Sequence, residues 1–272
     1  KNGQNRHIRI SLAYVIMIIL IWIPMARRKS LAFLDVGQGD CFVADTKSGA
    51  IIFDGGSSSE DQVGRYRILP YMKYLGYQKI QIAVISHMDI DHYSGIKELL
   101  EMGKIKYLGL PEIPKDETMK KIIGIAKKRG TTIFYLSRGR QITTKDGSLK
   151  VLHPQKNSQM EKNAASLVMQ GKILGYRVLL TGDVEKEGEE ELLSEELERA
   201  DILKAAHHGS KNSTSNEFLQ KVQPKQTVIS CGKQNRYGHP HLETIHRLQT
   251  YRTKIYRTDR SGAIIFFKRR DG

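Results

Sequence analysis

The feature that most narrows the fold is a recurrence: four apolar, strand-like runs each lead into a knot of histidine, aspartate, serine or glycine. IQIAVIS (80–86) runs into HMDIDH (87–92), YRVLL (176–180) into TGD (181–183), ILKAA (202–206) into HHGS (207–210), and TVISC (227–231) is followed shortly by NRYGHP (235–240). Open α/β sheets collect functional groups this way, because a strand end fixes a loop in place while leaving its side chains free. Further strand-like runs are LAFLDV (31–36), CFVADT (41–46), AIIFDGG (50–56), YLGL (107–110), TIFYL (132–136), SLKVL (148–152), SLVMQ (166–170) and AIIFF (263–267). Helical periodicity is expected near 65–75, 95–102, 116–129, 185–197, 214–222 and 241–251. Two β-rich halves with interspersed helices predict a layered α/β sandwich.

Composition limits the partners. The 272 residues are 39 % hydrophobic, enough for a proper core. The net charge of +15 favours polyanions or an anionic surface over neutral small molecules. Six basic and no acidic residues fall in the first thirty positions, around ISLAYVIMIILIWIPMA (10–26), which carries no charge over 17 residues. That length is at the short end of a transmembrane helix, and a cleaved signal peptide is the alternative. Basic residues flank both ends equally, so charge does not orient the segment. The expectation is a membrane helix with basic flanks at 1–30, preceded by further chain, and a folded domain over 31–272. Cys41 and Cys231 stand in apolar surroundings and read as buried thiols.

In HMDIDH the side chains of His87, Asp89 and Asp91 alternate, so an extended loop would point them the same way, and His92 follows at once. Imidazole and carboxylate suit a divalent first-row ion, and the oxygen-rich mixture leans toward manganese relative to an all-histidine zinc site. The competing reading makes Asp91 the N-cap of a helix starting near Ser94. Asp183 and His207, at two other strand ends, shift the weight toward metal. A divalent ion brings the pKa of water toward neutrality and polarises a phosphoryl oxygen. Asp89 or Asp91 would then orient the water, while His208, His239 and Ser210 are candidates to hold a phosphate or protonate the leaving oxygen. Glycines in DVGQGD and DGG allow tight turns, and Asp35, Asp40 and Asp54 are expected to bond loop amides near the site without ligating. His7 and His246 read as surface residues.

LDVGQGD (34–40), IFDGG (52–56), SHMDIDHYSG (86–95), TGD, AHHGS and YGHP, in this order, resemble the metallo-β-lactamase-fold domain that ends the ComEC competence channel proteins. The resemblance covers 31–272 and implies an αββα sandwich with a metal site at one edge. It implies that His87 belongs to a first metal subsite and Asp91 and His92 to a second, with Asp183 as bridge and His207 as a late ligand. Asp89 takes the position where the broader superfamily has a second histidine. A third first-site histidine would precede SLVMQ, but EKNAASLV offers Asn163 and Ser166 instead. His153, the nearest histidine, is expected to be structural. One or two ions, manganese or zinc, are therefore expected.

Three functions compete. The first is a metal-dependent nuclease of a DNA-uptake channel, acting on single-stranded DNA or one strand of a duplex. It would sit at the cell membrane beside an upstream channel region of the same protein, with the domain outside the cytoplasm. The second is a hydrolase of a lactone, thioester or nucleotide. The third is a DNA-binding module with a degenerate metal site.

Overall fold

A computed structural model describes residues 10–15, 17, 28–161 and 163–269. Two seven-stranded sheets pack face to face. The first has the strand order β14-β1-β2-β3-β4-β5-β6, with β1 (Ser30–Phe33), β2 (Phe42–Thr46), β3 (Gly49–Phe53), β4 (Ile80–Val84), β5 (Ile105–Pro111), β6 (Thr132–Leu136) and β14 (Ile264–Phe267). The second has the order β13-β12-β11-β10-β9-β8-β7, with β7 (Gln141–Thr144), β8 (Gly147–His153), β9 (Val168–Ile173), β10 (Tyr176–Leu180), β11 (Ile202–Lys204), β12 (Gln226–Ile229) and β13 (Lys254–Arg257). Each sheet is antiparallel on one side and parallel on the other: β3 to β6 run parallel, as do β10 to β13.

The parallel strands carry the most continuous apolar runs because both of their faces are covered. Between the sheets, Leu31, Phe33, Phe53 and Val84 meet Val151, Met169, Val178 and Val228. The outer face of the first sheet packs on α1 (Leu69–Tyr74), α2 (Ile90–Glu101) and α3 (Glu117–Lys128) through Met72, Ile96, Leu99 and Ile122. The second is covered by α4 (Lys186–Leu193), α5 (Asn216–Val222) and α6 (Leu242–Thr250) through Leu192, Phe218, Leu219 and Leu248. Each fully buried side chain of this size contributes about 1.5–3 kcal/mol. The architecture is the expected αββα sandwich, and Cys41 and Cys231 are free and buried in it.

Two local expectations need correction. Helix α2 starts at Ile90, not near Ser94, so Asp91 lies inside its first turn and Asp89 takes the N-cap position without a side-chain cap bond. HMDIDH is therefore not an extended loop with alternating side chains. Strands β7 and β13 were not anticipated, because both are short sheet-edge strands with polar residues. Residues 10–15 are helical, but the rest of the 10–26 run lies, apart from Met17, outside the described residues. Among the described residues no helix is long and apolar enough to cross a membrane.

Candidate metal centre

Backbone contacts join three sequence motifs before any side chain meets. Asp40 donates its amide to Asp91 O (3.0 Å) and receives the Gly56 amide on its own carbonyl (3.1 Å). Gly55 donates to His92 O (2.8 Å) and accepts from the Ile96 amide (2.9 Å). A Cβ on Gly56 would come within 2.5 Å of Ile90 O and 2.6 Å of His92 N, so DGG needs its second glycine to let α2 approach. DVGQGD, DGG and HMDIDH thus form one hydrogen-bonded corner at the ends of β3 and β4.

The opposing sheet completes the site from the ends of β10, β11 and β12. His92 Nε2 lies 3.1 Å from Asp183 Oδ2. His208 Nε2 lies 3.3 Å from the same oxygen and 3.4 Å from Asp91 Oδ2. One ligand atom from each of Asp40, His92, Asp183 and His208 falls within 4.8 Å of all the others, and all four residues are buried. The second ring nitrogens are anchored: His92 Nδ1 donates to Asp54 Oδ2 (2.9 Å) and His208 Nδ1 to Ser230 O (2.9 Å). Asp54 is itself held, accepting from the Ser86 amide (2.7 Å) and hydroxyl (2.8 Å). A carboxylate or carbonyl behind the imidazole fixes the tautomer that presents Nε2 to an ion.

Among the described residues, the buried Nε2 atoms of His87, His92 and His208 and Oδ1 of Asp183 make ion-pair contacts of 3.1–3.6 Å but no well-formed hydrogen bond. A divalent cation would satisfy those of His92, His208 and Asp183 together, and an all-nitrogen-and-oxygen donor set without thiolate suits manganese or zinc. The residues present therefore fit a metal ion.

Electrostatics point the same way. Burial opposes ionisation of Asp183 and Asp40, but His208 and His92 hold Asp183 well below the usual carboxylate range, and Lys204 and His208 do the same for Asp40. Burial also disfavours charge on His92 and His208, yet Asp183 with Asp54, and Asp183 with Asp40, push the two imidazoles well above their ordinary value. Without an ion, protons and Lys204 supply the positive charge. Lys204, 4 % exposed, pairs with Asp40, donates to Gly182 O (3.0 Å) and stands 3.6 Å from Asp183 Oδ1.

The structure brings His92, Asp91, Asp183 and His208 together and sets the other candidates around them. His87 is buried, its Nδ1 3.0 Å from Ser86 Oγ and its Nε2 3.6 Å from Asp89 Oδ2. The Asp89 side chain is 40 % exposed and faces the open side. His207 and His208 both have left-handed backbone (φ 47° and 53°), which turns His208 inward, while half-buried His207 pairs with Glu185 (2.8 Å) and stays 3.9 Å from Asp183. His208 Nε2 is the nearer of the two to the Asp183 carboxylate, at 3.3 Å against 3.9 Å for His207 Nε2. Asp40 differs from its expected role: its carboxylate pairs with Lys204 inside the cluster, whereas Asp35 and Asp54 do accept loop amides. Ser210 is buried and its Oγ accepts the Asn212 amide (3.3 Å).

His239 is 8 % exposed, and burial followed by His208, His207 and His241 pushes its pKa down to about 4, so it is a neutral ring at pH 7. Ser166 accepts the Asp183 amide (3.3 Å), placing the segment that lacks a histidine directly against the centre. His153 Nε2 donates to Ala164 O (2.7 Å) from a fully buried position, a structural role. His246 is exposed, and His7 lies outside the described residues. Sequence reasoning missed Lys204. Its signal was a charge within the apolar run ILKAA, where only a buried partner makes a lysine tolerable.

Comparison with known proteins agrees with the fold. The profile described as Metallo-beta-lactamase superfamily matches residues 34–233. The chain is 35 % identical over 278 residues to ComE operon protein 3 of Bacillus subtilis (strain 168), covering 95 % of this chain and 35 % of that protein. It is 30 % identical over 248 residues to Competence protein ComA of Neisseria gonorrhoeae, covering 88 % and 32 %. The chain thus spans about a third of the length of these relatives. Among solved structures, the metallo-beta-lactamase fold protein YhfI from Bacillus subtilis superposes with a TM-score of 0.59 at 12 % identity, covering 87 % of this chain and 99 % of that one.

Proposed function

Since the chain belongs to the metallo-β-lactamase superfamily, in the ComEC-type competence family, we propose that it is the metal-dependent nuclease domain of a DNA-uptake channel. A metallo-hydrolase role in competence follows from the membership; the phosphodiester bond of incoming DNA as substrate is the further step. The observation that carries it is the buried set of facing Nε2 and carboxylate atoms whose outer nitrogens are already anchored. The basic balance of the chain supports a polyanionic substrate. The uncharged run 10–26 supports a membrane span beside the domain, and the family resemblance, not the flanking charge, is what supports a domain outside the cytoplasm.

His92, His208 and Asp183, with Asp91 in place of Asp40 because Lys204 already pairs with Asp40, would hold a divalent ion, which when bound supplies charge for a phosphoryl oxygen and brings water's pKa toward neutrality. His87 and Asp89 offer a second, more open position, weakened by Asn163 and Ser166 standing where a third histidine is expected. Asp54 and Ser230 O keep the two imidazoles aimed inward. Lys204 holds Asp40 and Asp183 in place and offsets part of their charge. Asp89, on the open side, orients water. His239, neutral at pH 7, accepts or relays a proton more readily than it delivers one, and it lines the phosphate approach with Ser210.

The test is cleavage of end-labelled single-stranded DNA with manganese, zinc or chelator, beside Asp91→Ala. Cleavage that needs metal and vanishes in the variant is expected; a folded, metal-loaded chain that cuts nothing overturns the reading. The missing third histidine favours a second reading, a DNA-binding module. It predicts salt-sensitive binding that survives Asp91→Ala and Asp183→Ala with no turnover to lose.

A further inference from the structure

Tyr237 is 43 % exposed, yet its ring is not isolated. It lies nearly parallel to His239, with centroids 5.7 Å apart and planes at 21°. His239 in turn stacks on His208 at 6.2 Å and 29°, and His208 lies 5.4 Å from His92. A row of rings therefore runs from solvent to the buried carboxylates.

The loop carrying this row is rigidly tied. Asn235 Nδ2 donates to Gly232 O (2.9 Å) and His239 O (2.6 Å), and its Oδ1 accepts the His239 amide (2.9 Å). Gly232 donates to Gln38 Oε1 (3.1 Å), tying the loop to the β1–β2 connection. Arg236 Nη2 donates to the Tyr237 hydroxyl (2.6 Å), with its guanidinium 4.8 Å from the ring centroid. Arg236 is a permanent cation, and the Asp91 carboxylate lies close enough for their charges to interact. The approach beside Asp89 has the opposite character. There a cavity of about 560 Å³ is lined by Asp89, Glu161, Glu185 and Glu187 against a single Lys186. A polyanion is repelled from that side and admitted past Arg236.

We propose that Tyr237 and Arg236 form a nucleotide subsite at the mouth of the centre, with Tyr237 stacking a base of single-stranded DNA and Arg236 holding an adjoining phosphate. This rests on DNA being the polymer that reaches the centre, whether or not it is cut there. His239 backs one face of the tyrosine and the Arg236 guanidinium lies over the ring, so the base enters by displacing that guanidinium, which then meets the adjoining phosphate. Every base has a π-face, so the subsite accepts any sequence. A duplex buries those faces in its own stack, so the subsite distinguishes a separated strand from a paired one.

The test is fluorescence anisotropy of a labelled oligothymidylate with the full chain, in chelator so that no strand is cut. Tyr237→Ala should weaken binding roughly 5- to 150-fold, the range for losing one stacked base. Tyr237→Phe should retain the affinity. An abasic oligomer should bind the wild type and Tyr237→Ala equally. Arg236→Gln should weaken both oligomers and lower the salt slope by about one phosphate contact.

The proposal is overturned if Tyr237→Ala binds oligothymidylate like the wild type, if it loses abasic binding equally, or if the wild type binds no single strand. Should Tyr237→Ala fail to fold, the stacking claim passes to Tyr237→Ser measured on the same two oligomers. A chain that cuts no DNA with any divalent ion yet loses oligothymidylate binding in Tyr237→Ala refutes the nuclease reading and upholds this one. A cutting chain that is indifferent to Tyr237→Ala does the reverse.

Discussion

Replacing Asp54 by asparagine tests whether the carboxylate behind His92 aims that imidazole at an ion. Asp54 is fully buried, its Oδ2 bonds His92 Nδ1 at 2.9 Å, and its backbone is left-handed at φ 57°. Asparagine tolerates that conformation, so Asp54→Asn changes charge and tautomer control without backbone strain. The amide can still accept from the Ser86 N–H with its oxygen, but its nitrogen then meets His92 Nδ1 as a donor. The ring must expose the other tautomer or rotate. Losing such an outer partner typically costs 10- to 100-fold in metal affinity, about 1.4–2.7 kcal/mol. Competition of manganese or zinc between the protein and a chromophoric chelator reads this directly, and thermal unfolding in excess chelator shows whether the fold is intact. Unchanged metal affinity in a normally folding Asp54→Asn protein would refute the role assigned to Asp54.

His208→Ala should lower metal affinity by more than Asp54→Asn does, whereas His207→Ala should change it little; isothermal titration of both variants separates the adjacent histidines. Lys204→Met leaves Asp40 and Asp183 buried without their cation, so unfolding free energy in chelator should fall by about 3–5 kcal/mol. Denaturant titration should show the gap narrowing when manganese is added. The raised pKa values of His92 and His208 mean that the metal-free folded protein holds protons there which the unfolded chain releases nearer 6.5. Their stabilising contribution is present below that value and fades as pH rises through the folded pKa. Metal must displace those protons, so affinity should rise with pH and proton release should accompany binding. An affinity that falls as pH rises would contradict the assigned ligands.

Much of this fold was legible because strand ends and polar knots alternate in the sequence, and parallel strands buried on both faces leave strong apolar runs. The start of α2 was not, because its first turn is made of Asp91 and His92, whose polarity hides the helical period. Strands β7 and β13 escaped notice because QITT and KIYR, at sheet edges, keep partly exposed polar side chains. In the site, HMDIDH and TGD were readable from residue type alone. Which of His207 and His208 points inward depends on two successive left-handed residues, a backbone feature that two identical letters cannot reveal. Asp40 resembled a turn residue, and only its backbone bonds to Asp91 and Gly56 carry it into the cluster. Lys204 needed partners from β1–β2 and β10 that are distant in sequence.

The central claim, that the buried cluster is the metal centre, is tested most directly by anomalous diffraction from crystals soaked in manganese. The predicted result is a peak within ligating distance of His92 Nε2, His208 Nε2 and the Asp183 carboxylate, absent in crystals of Asp183→Asn. No peak there, or manganese bound only at the acidic cavity beside Asp89, would contradict it.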